Sequence, residues 1–265
     1  MRSTTAGGRA LGEAEARRSH IVEIVRRQGF AAIDQLAATF NVTPQTIRRD
    51  INSLARAGRL RRFHGGAGLP SSVENIAYAT RRILNLEAKK RIARLVAEHI
   101  PDNASLIINI GTTTEEVAKA LMDHSGLSVI TNNLNVANMM AEKPDFQVIV
   151  AGGVVRRRDR GIVGEATIDF VDQFRVDFAV IGISGIDMDG TLLDFDYREV
   201  RVAQAIIRNA RTVFLVADHS KFGRNAMARL GHLADVDALF TDAPPPEPIR
   251  LVLEAGETAL HIADA

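Results

Sequence analysis

Five short polar runs in this chain each follow a β-rich stretch, and together they hold the side chains from which an anion site could be built. GTTTE (111–115) ends one such stretch and opens a helical segment, so that Gly111, Thr112, Thr113 and Thr114 offer hydroxyls and free backbone amides to a negative charge. TNN (131–133) follows the next and contains Asn132; then come Gly152 and Gly153, GISGID (182–187) with Asp187, and DHSKFGR (218–224) with Lys221 and Arg224. Any one of these is a weak signal, because Gly or Thr after a strand is most often only a turn. Five at successive strand ends point to one small, phosphorylated, hydroxyl-rich ligand, with Lys221 and Arg224 supplying positive charge. His219, beside Asp218, reads as at most a polar wall of that pocket, and otherwise as solvent-facing.

A different chemistry is suggested by DMDGTLLD (187–194), in which Asp187 could attack phosphorus while Asp189 handles the proton. Phosphatases of that type carry the motif early, with a lysine and further metal-binding acids well downstream. Here 71 residues follow Asp194 and no late pair of acids stands at the required place. The run is therefore read as an acidic, glycine-turned loop on the pocket rim. No dinucleotide fingerprint follows a first strand, no Walker lysine is present and no histidine–carboxylate spacing suggests a metal, so neither cofactor nor metal is expected.

A second constellation lies near the amino terminus. In NVTPQTIRRDINSLARAG (41–58), Thr43 is a good N-cap and Pro44 suits the first helical position, where its missing N–H costs nothing. Ile47, Ile51 and Leu54 form a stripe for burial, while Gln45, Arg49 and Asn52 repeat on the other side, flanked by Thr46 and Arg48. Polar tips at the start of such a helix are what reach base edges in a major groove. Gln45, Thr46 and Arg49 are expected on bases, with Arg48 and Arg56 on the phosphate backbone. The run RLRRFHGGA (59–67) reads as a short hairpin wing anchored by Leu60 and Phe63, with Arg59, Arg61, Arg62 and His64 along the sugar-phosphate chain.

The elements that must position these residues follow from periodicity. Ahead of the recognition segment, Arg17–Gln28 carries Ile21, Val22, Ile24 and Val25 in a helical context. Ile33–Phe40 supplies a second helix, with Leu36, Ala37 and Phe40 inward and Val42 in the turn beneath both. The result is a winged helix-turn-helix over 17–68. A linker over 69–85 precedes a body over 86–265, which opens on a charged helix from Leu86 to His99. In the body, strand-like runs at 105–110, 127–130, 146–150, 176–181, 212–217 and 236–241 alternate with helical segments at 115–122, 136–142, 165–173, 199–209 and 248–255. That alternation predicts an α/β domain around a largely parallel sheet, whose ligands sit outside the carboxyl ends of the strands.

Composition agrees with both halves. Hydrophobic residues make up 46 % and charged residues 25 % of the 265, which suits about two globular domains. The formal charge of +1 conceals an asymmetry: residues 1–70 hold 12 arginines against five acids, leaving a basic head on an acidic body. Cysteine is absent, which removes disulfides and thiolate chemistry and fits a reducing cytoplasm. No apolar run approaches ~18 residues, so no membrane span is expected. The first residues, MRSTTAGGRALG, read as a disordered lead-in.

TIRRDI (46–51) with HGGA (64–67), LPSS (69–72), IGTT (110–113), TNNLNVAN (131–138), GEAT (164–167), GISGID (182–187), DYREVR (196–201), DHSKFGRNAM (218–227) and TDAPPP (241–246) together resemble the DeoR family of bacterial transcriptional regulators. The likeness runs from Arg17 to about residue 250. It implies a winged helix-turn-helix joined to an effector domain like ribose-5-phosphate isomerase and the coenzyme A transferases, used as a sensor and not as an enzyme. The strongest resemblance is to the branch that represses glycerol and glycerol-3-phosphate genes. It implies a cytoplasmic homo-oligomer, dimer or tetramer, that binds operator double-stranded DNA and is released by glycerol 3-phosphate. Carried onto this chain, Gly111, Thr112 and Thr113 hold the phosphate with Lys221 as its cation, and Asn132, Gly153, Asp187 and Glu199 contact the glycerol part. The alternatives are a relative responding to another phosphorylated sugar, such as fructose or tagatose phosphates, or a phosphosugar isomerase or phosphatase with a nucleic-acid domain.

Overall fold

The protein is described from a computed structural model, which covers residues 6–28, 30–63, 65–68 and 77–264. It divides into two compact units, Met1–Arg81 and Arg82–Ala265.

In the first unit α1 (Ala6–Gln28) leads to β1 (Phe30–Ala32), α2 (Ile33–Phe40), α3 (Pro44–Arg56), β2 (Arg61–Phe63) and β3 (Gly66–Gly68). The three strands form an antiparallel sheet in the order β1-β3-β2. The expected hairpin is thus a three-stranded wing: β1, only three residues long, shows no period in the sequence, but it supplies the third edge. Helix α1 also starts well before Arg17, so the part of the lead-in from Ala6 onward is helical and not the disorder expected, although Gly7, Gly8 and Gly12 give it a low helix propensity. Asn41, at φ 48°, makes the sharp turn between α2 and α3, a left-handed conformation that asparagine tolerates. Ile21, Val22, Val25, Ile33, Leu36, Ile47, Ile51, Leu54 and Leu60 close one core. His64 and the linker run LPSS lie outside the described residues.

A short helix, α4 (Tyr78–Ile83), occupies part of the expected linker. The second unit continues with α5 (Leu86–Ala97), β4 (Ser105–Ile108), α6 (Thr112–Ala120), β5 (Ser128–Thr131), α7 (Leu134–Met140), β6 (Gln147–Val150), β7 (Val154–Val155), β8 (Ile162–Val163), α8 (Glu165–Val171) and β9 (Val176–Gly182). It ends with β10 (Gly185–Ile186), β11 (Thr191–Asp194), α9 (Tyr197–Arg208), β12 (Ala210–Val216), β13 (Ala228–His232), β14 (Ala238–Thr241), α10 (Glu247–Ala255) and β15 (Ala259–Ile262). Seven parallel strands pair in the order β15-β14-β12-β9-β4-β5-β6. Side chains alternate faces along each strand. Leu106, Ile108, Val180, Phe214 and Phe240 pack under α5, α6 and α7, while Ile107, Ala179, Ile181, Leu215 and Leu239 pack under α8, α9 and α10. Burial on both faces explains why these runs read as continuous apolar stretches.

The chain lays down β4, β5 and β6 in one direction, then returns to place β9 on the other side of β4. Strand order therefore reverses between β4 and β9, which is where sheets of this kind open a crevice at the strands' carboxyl ends. A second, antiparallel sheet, β10-β11-β13, and the β7–β8 hairpin are built from the connections near those ends.

Candidate functional site

On the first unit, α3 is capped as its sequence requires: the Thr43 hydroxyl oxygen accepts from the Thr46 amide at 3.2 Å, and Pro44 opens the helix. Burying Ile47, Ile51 and Leu54 turns Gln45, Arg48, Arg49 and Arg56 outward, all exposed. Gln45, Arg48, Asn52 and Arg62 line a groove of about 330 Å³ between α3 and the wing. Arg62 donates to the Asn52 side-chain oxygen at 3.1 Å, so Asn52 ties the wing to the recognition helix. Thr46 is half-buried, its hydroxyl 3.0 Å from that of Thr43; Arg59 is exposed and Arg61 half-buried at the wing's start.

Asp50, at the centre of TIRRDI, was not singled out by sequence reasoning. It is buried, and its carboxylate accepts from Arg17 Nε at 2.6 Å and lies 3.4 Å from Arg18 Nε. Arg18 also donates to the Ser53 hydroxyl at 3.1 Å. Two arginines that add to the head's positive charge thus clamp α1 onto α3. An acid three residues after Ile47, on the apolar side of α3, was the available signal.

In the second unit, the polar runs meet at the β4–β9 reversal. The first turn of α6 presents Gly111, Thr112 and Thr113, and the leading amides of a helix have no carbonyl four residues back within it to bond. Gly182 lies against this loop: a Cβ there would stand 3.6 Å from the Thr114 methyl and 3.7 Å from the Ile110 carbonyl. Thr114 itself faces inward, its hydroxyl donating to the Asn109 and Gly111 carbonyls at 2.7 and 2.9 Å. Glu115, also buried, accepts from Asn133 and Asn135 at 3.1 and 3.0 Å, joining TNN to GTTTE. Asn132 is buried; its amide donates to the Ile162 carbonyl at 3.1 Å, while its side-chain oxygen has no hydrogen-bond partner. Gly153 is required by its surroundings, since φ is +144° and a Cβ would fall 2.2 Å from the Thr167 hydroxyl.

The run 182–187 is joined to 218–224 by Gly223 N–H donating to the Ile186 carbonyl at 2.7 Å and by Arg224 donating to the Ser184 carbonyl at 3.0 Å. Arg224, expected as a cation for the ligand, is buried, with its guanidinium 5.0 Å from the Phe195 ring centroid. Lys221 is half-buried in the single turn after Asp218. His219 differs from expectation: it is half-buried, with Nδ1 2.6 Å from an Asp242 carboxylate oxygen, and that hydrogen bond raises its pKa.

Glu199 is joined to a buried ion cluster that no motif announced. Arg156 meets Asp159 through Nε at 2.8 Å and one terminal nitrogen at 2.7 Å, Asp196 at 2.9 Å and Glu199 at 2.7 Å. Burial disfavours the Arg156 charge, but Glu199 and Asp159 outweigh it and raise its pKa. Burial likewise pushes Asp196 up, yet hydrogen bonds from Arg198 and Arg156 bring it down to about 2. The cluster fastens the β7–β8 hairpin to the start of α9, and Gly161 in that hairpin packs on Ile110 beside the cleft. Its arginine sits in the charge run RRRDR (156–160).

DMDGTLLD supplies the hairpin turn after β10 (187–190) and strand β11 itself (191–194). Asp187 is exposed, and its side chain accepts from the Met188 amide at 2.8 Å. Asp189 accepts from the Thr191 amide at 2.9 Å, a bond that lowers its pKa, the reverse of what a proton donor needs. Asp194 is buried and accepts from the Phe195 amide at 2.6 Å. Among the described residues no group of acids and histidines could hold a metal ion, and no helix is long and apolar enough to cross a membrane.

A winged helix-turn-helix with an exposed basic recognition face, followed by an α/β body with a polar crevice at its strand reversal, defines a ligand-sensing transcriptional regulator. Residues 17–73 match the DeoR-like helix-turn-helix domain and residues 84–243 the DeoR C terminal sensor domain. The chain belongs to the DeoR family. It is 56 % identical over 237 residues to the glycerol-3-phosphate regulon repressor of Escherichia coli, covering 89 % of this chain and 94 % of that one. The Haemophilus influenzae protein of the same name is 49 % identical, with 94 % and 96 % covered. The HTH-type transcriptional repressor CsqR of Escherichia coli is 42 % identical, with 90 % and 91 % covered. Among solved structures, ribose 5-phosphate isomerase A of Methanocaldococcus jannaschii overlaps 52 % of this chain and 55 % of its own at 14 % identity, with a TM-score of 0.38. These relatives are repressors, and the chain is a DeoR-family transcriptional repressor and not an enzyme.

Proposed function

We propose that this repressor senses glycerol 3-phosphate in the crevice between β4 and β9 and releases its operator when the ligand binds. The observation that carries this reading is the meeting of GTTTE, TNN and GISGID at the one place where strand order reverses. Amides and hydroxyls at Gly111, Thr112 and Thr113 suit a phosphate at a helix start, and Lys221 adds a cation nearby in the fold. Asn132 contributes a buried oxygen acceptor, which suits a hydroxyl donor of a polyol. Gly153, Asp187 and Glu199 complete the set, Glu199 being held by Arg156. The names of the relatives at 56 % and 49 % identity support glycerol 3-phosphate over other phosphorylated polyols.

On the head, Gln45, Thr46 and Arg49 read base edges and Arg48, Arg56, Arg59, Arg61, Arg62 and His64 follow phosphates, with Thr43 and Asn52 holding that face in shape. Two or four copies bind operator repeats. Ligand binding shifts the balance between a DNA-competent and a released arrangement; coupling of about 1–3 kcal/mol changes operator affinity about 5–150-fold. Fluorescence anisotropy on a labelled promoter fragment from glycerol-utilisation genes tests this. Tight, salt-sensitive binding reversed by glycerol 3-phosphate, but not by glycerol or ribose 5-phosphate, is expected. Binding that ignores glycerol 3-phosphate and yields to another phosphosugar refutes the assigned ligand.

A further inference from the structure

We infer that Asp218 and Asn85 form a joint that positions the Lys221 loop and passes its state to the start of the body, just past Arg82, where the chain arrives from the head. Asn85 Nδ2 donates to Asp218 Oδ1 at 2.9 Å, across 133 positions of sequence. Asn85 stands at the N-cap of α5, where asparagine ordinarily accepts from the helix's own amides. Here its side chain makes no capping bond and is turned to Asp218 instead. Its backbone is left-handed, at φ 53° and ψ 35°, a conformation that few residue types hold without strain.

Asp218 is 1 % exposed. The same Oδ1 accepts from the Ser220 amide at 3.0 Å and from the Ser220 hydroxyl, and the Asp218 carbonyl accepts from the Lys221 amide at 2.9 Å. Burial alone would raise this carboxyl, but Lys221 and Lys89 overcome that and leave it at about 2. Lys89, 2 % exposed, donates to the Leu84 carbonyl at 2.7 Å and so belongs to the same chain start as Asn85. One buried carboxylate is therefore shared between the first turn of α5 and the turn that carries Lys221.

This rests on the function proposed above. A phosphate in the crevice competes with Asp218 for the charge of Lys221, and any rearrangement of the Asp218 carboxylate is felt at once by Asn85. The joint makes the ligand's charge legible at residues 84–89.

The variants Asn85→Gly and Asn85→Asp test it. Glycine keeps the left-handed backbone and removes the amide, whereas aspartate keeps the size and sets a second carboxylate against Asp218. In the parent, glycerol 3-phosphate is expected to weaken operator binding about 5–150-fold and to alter hydrogen exchange at 84–90. In both variants the ligand-free operator affinity stays within about 3-fold of the parent, and release is read at saturating glycerol 3-phosphate. Release collapses towards unity and the exchange change stays within the crevice loops. Release undiminished in both variants, or diminished only in proportion to a lost ligand affinity, overturns the inference. A parent that is not released refutes the proposed function instead. Exchange without ligand then still decides the joint: Asn85→Gly must raise exchange across 218–224 as well as at 84–90, and a rise at 84–90 alone overturns it.

Discussion

Gly152 and Gly153 are adjacent, yet the structure separates them sharply. A Cβ at Gly152 meets nothing within 4 Å, whereas one at Gly153 would stand 2.2 Å from the Thr167 hydroxyl and 3.0 Å from both the Ile162 methyl and the Val163 carbonyl. Thr167 cannot simply turn aside. It is fully buried, and its hydroxyl donates to the Gly152 carbonyl at 2.8 Å, so moving it breaks a part-buried bond. Overpacking of this kind costs ~1–3 kcal/mol, and a φ of +144° adds ~1–3 kcal/mol for a residue with a side chain. With partial relaxation, Gly153→Ala should lose ~2–4 kcal/mol, given the ranges for overpacking and strain. Gly152→Ala should stay within ~0.5 kcal/mol of the parent. For a body of this size each kcal/mol lowers the midpoint by ~2–4 °C, so calorimetry should show a drop of roughly 5–15 °C for the first variant and almost none for the second. Gly153→Ala should also blunt the response to glycerol 3-phosphate while operator binding at low temperature persists. Equal stability of the two variants would refute the close packing of the β7–β8 hairpin on the crevice.

Asp50→Asn should destabilise the head by ~1.5–3 kcal/mol, the range for hydrogen bonds to charged groups, because it weakens the clamp to both Arg17 and Arg18. Faster hydrogen exchange in α1, with the body unchanged, is the readout, and unchanged exchange refutes the clamp. Thr43→Ala removes the cap on α3 and should cost ~0.5–2 kcal/mol of head stability, lowering operator affinity without changing its salt slope in anisotropy titrations. The Asp218 carboxyl lies at about 2, below its ordinary 3.8. A depressed acid adds stability above its unfolded pKa and loses it as pH falls through the folded one. Urea unfolding should therefore show the parent losing on the order of 2 kcal/mol between pH 5 and ~2 that Asp218→Asn, already weaker at neutral pH, does not lose.

Much of this molecule is determined locally. The stripe of Ile47, Ile51 and Leu54, the cap at Thr43 and the apolar runs 105–110 and 176–181 each specify an element through period, capping and burial, and the structure has them within a few residues. Shorter elements escaped. β1 and β15 have three and four residues, and the small sheet β10-β11-β13 is assembled from segments that only a tertiary partner makes regular. The exposed face of the recognition helix was likewise legible, because burying Ile47, Ile51 and Leu54 turns Gln45, Arg48 and Arg49 outward.

Contacts between distant segments were decided by folding alone. Asp50 belongs to Arg17, Arg156 to Asp196 and Glu199, and Asp218 to Asn85, each pairing set by which polar groups burial brings within reach. Arg224 and Lys221 stand three residues apart in the sequence, yet one lies inside a wall against Phe195 and the other remains half-buried in the loop. Residue type and spacing determine what an element can offer. Which side chains become ligands, clamps or wall follows from desolvation and packing, and those exist only once the sheet has closed.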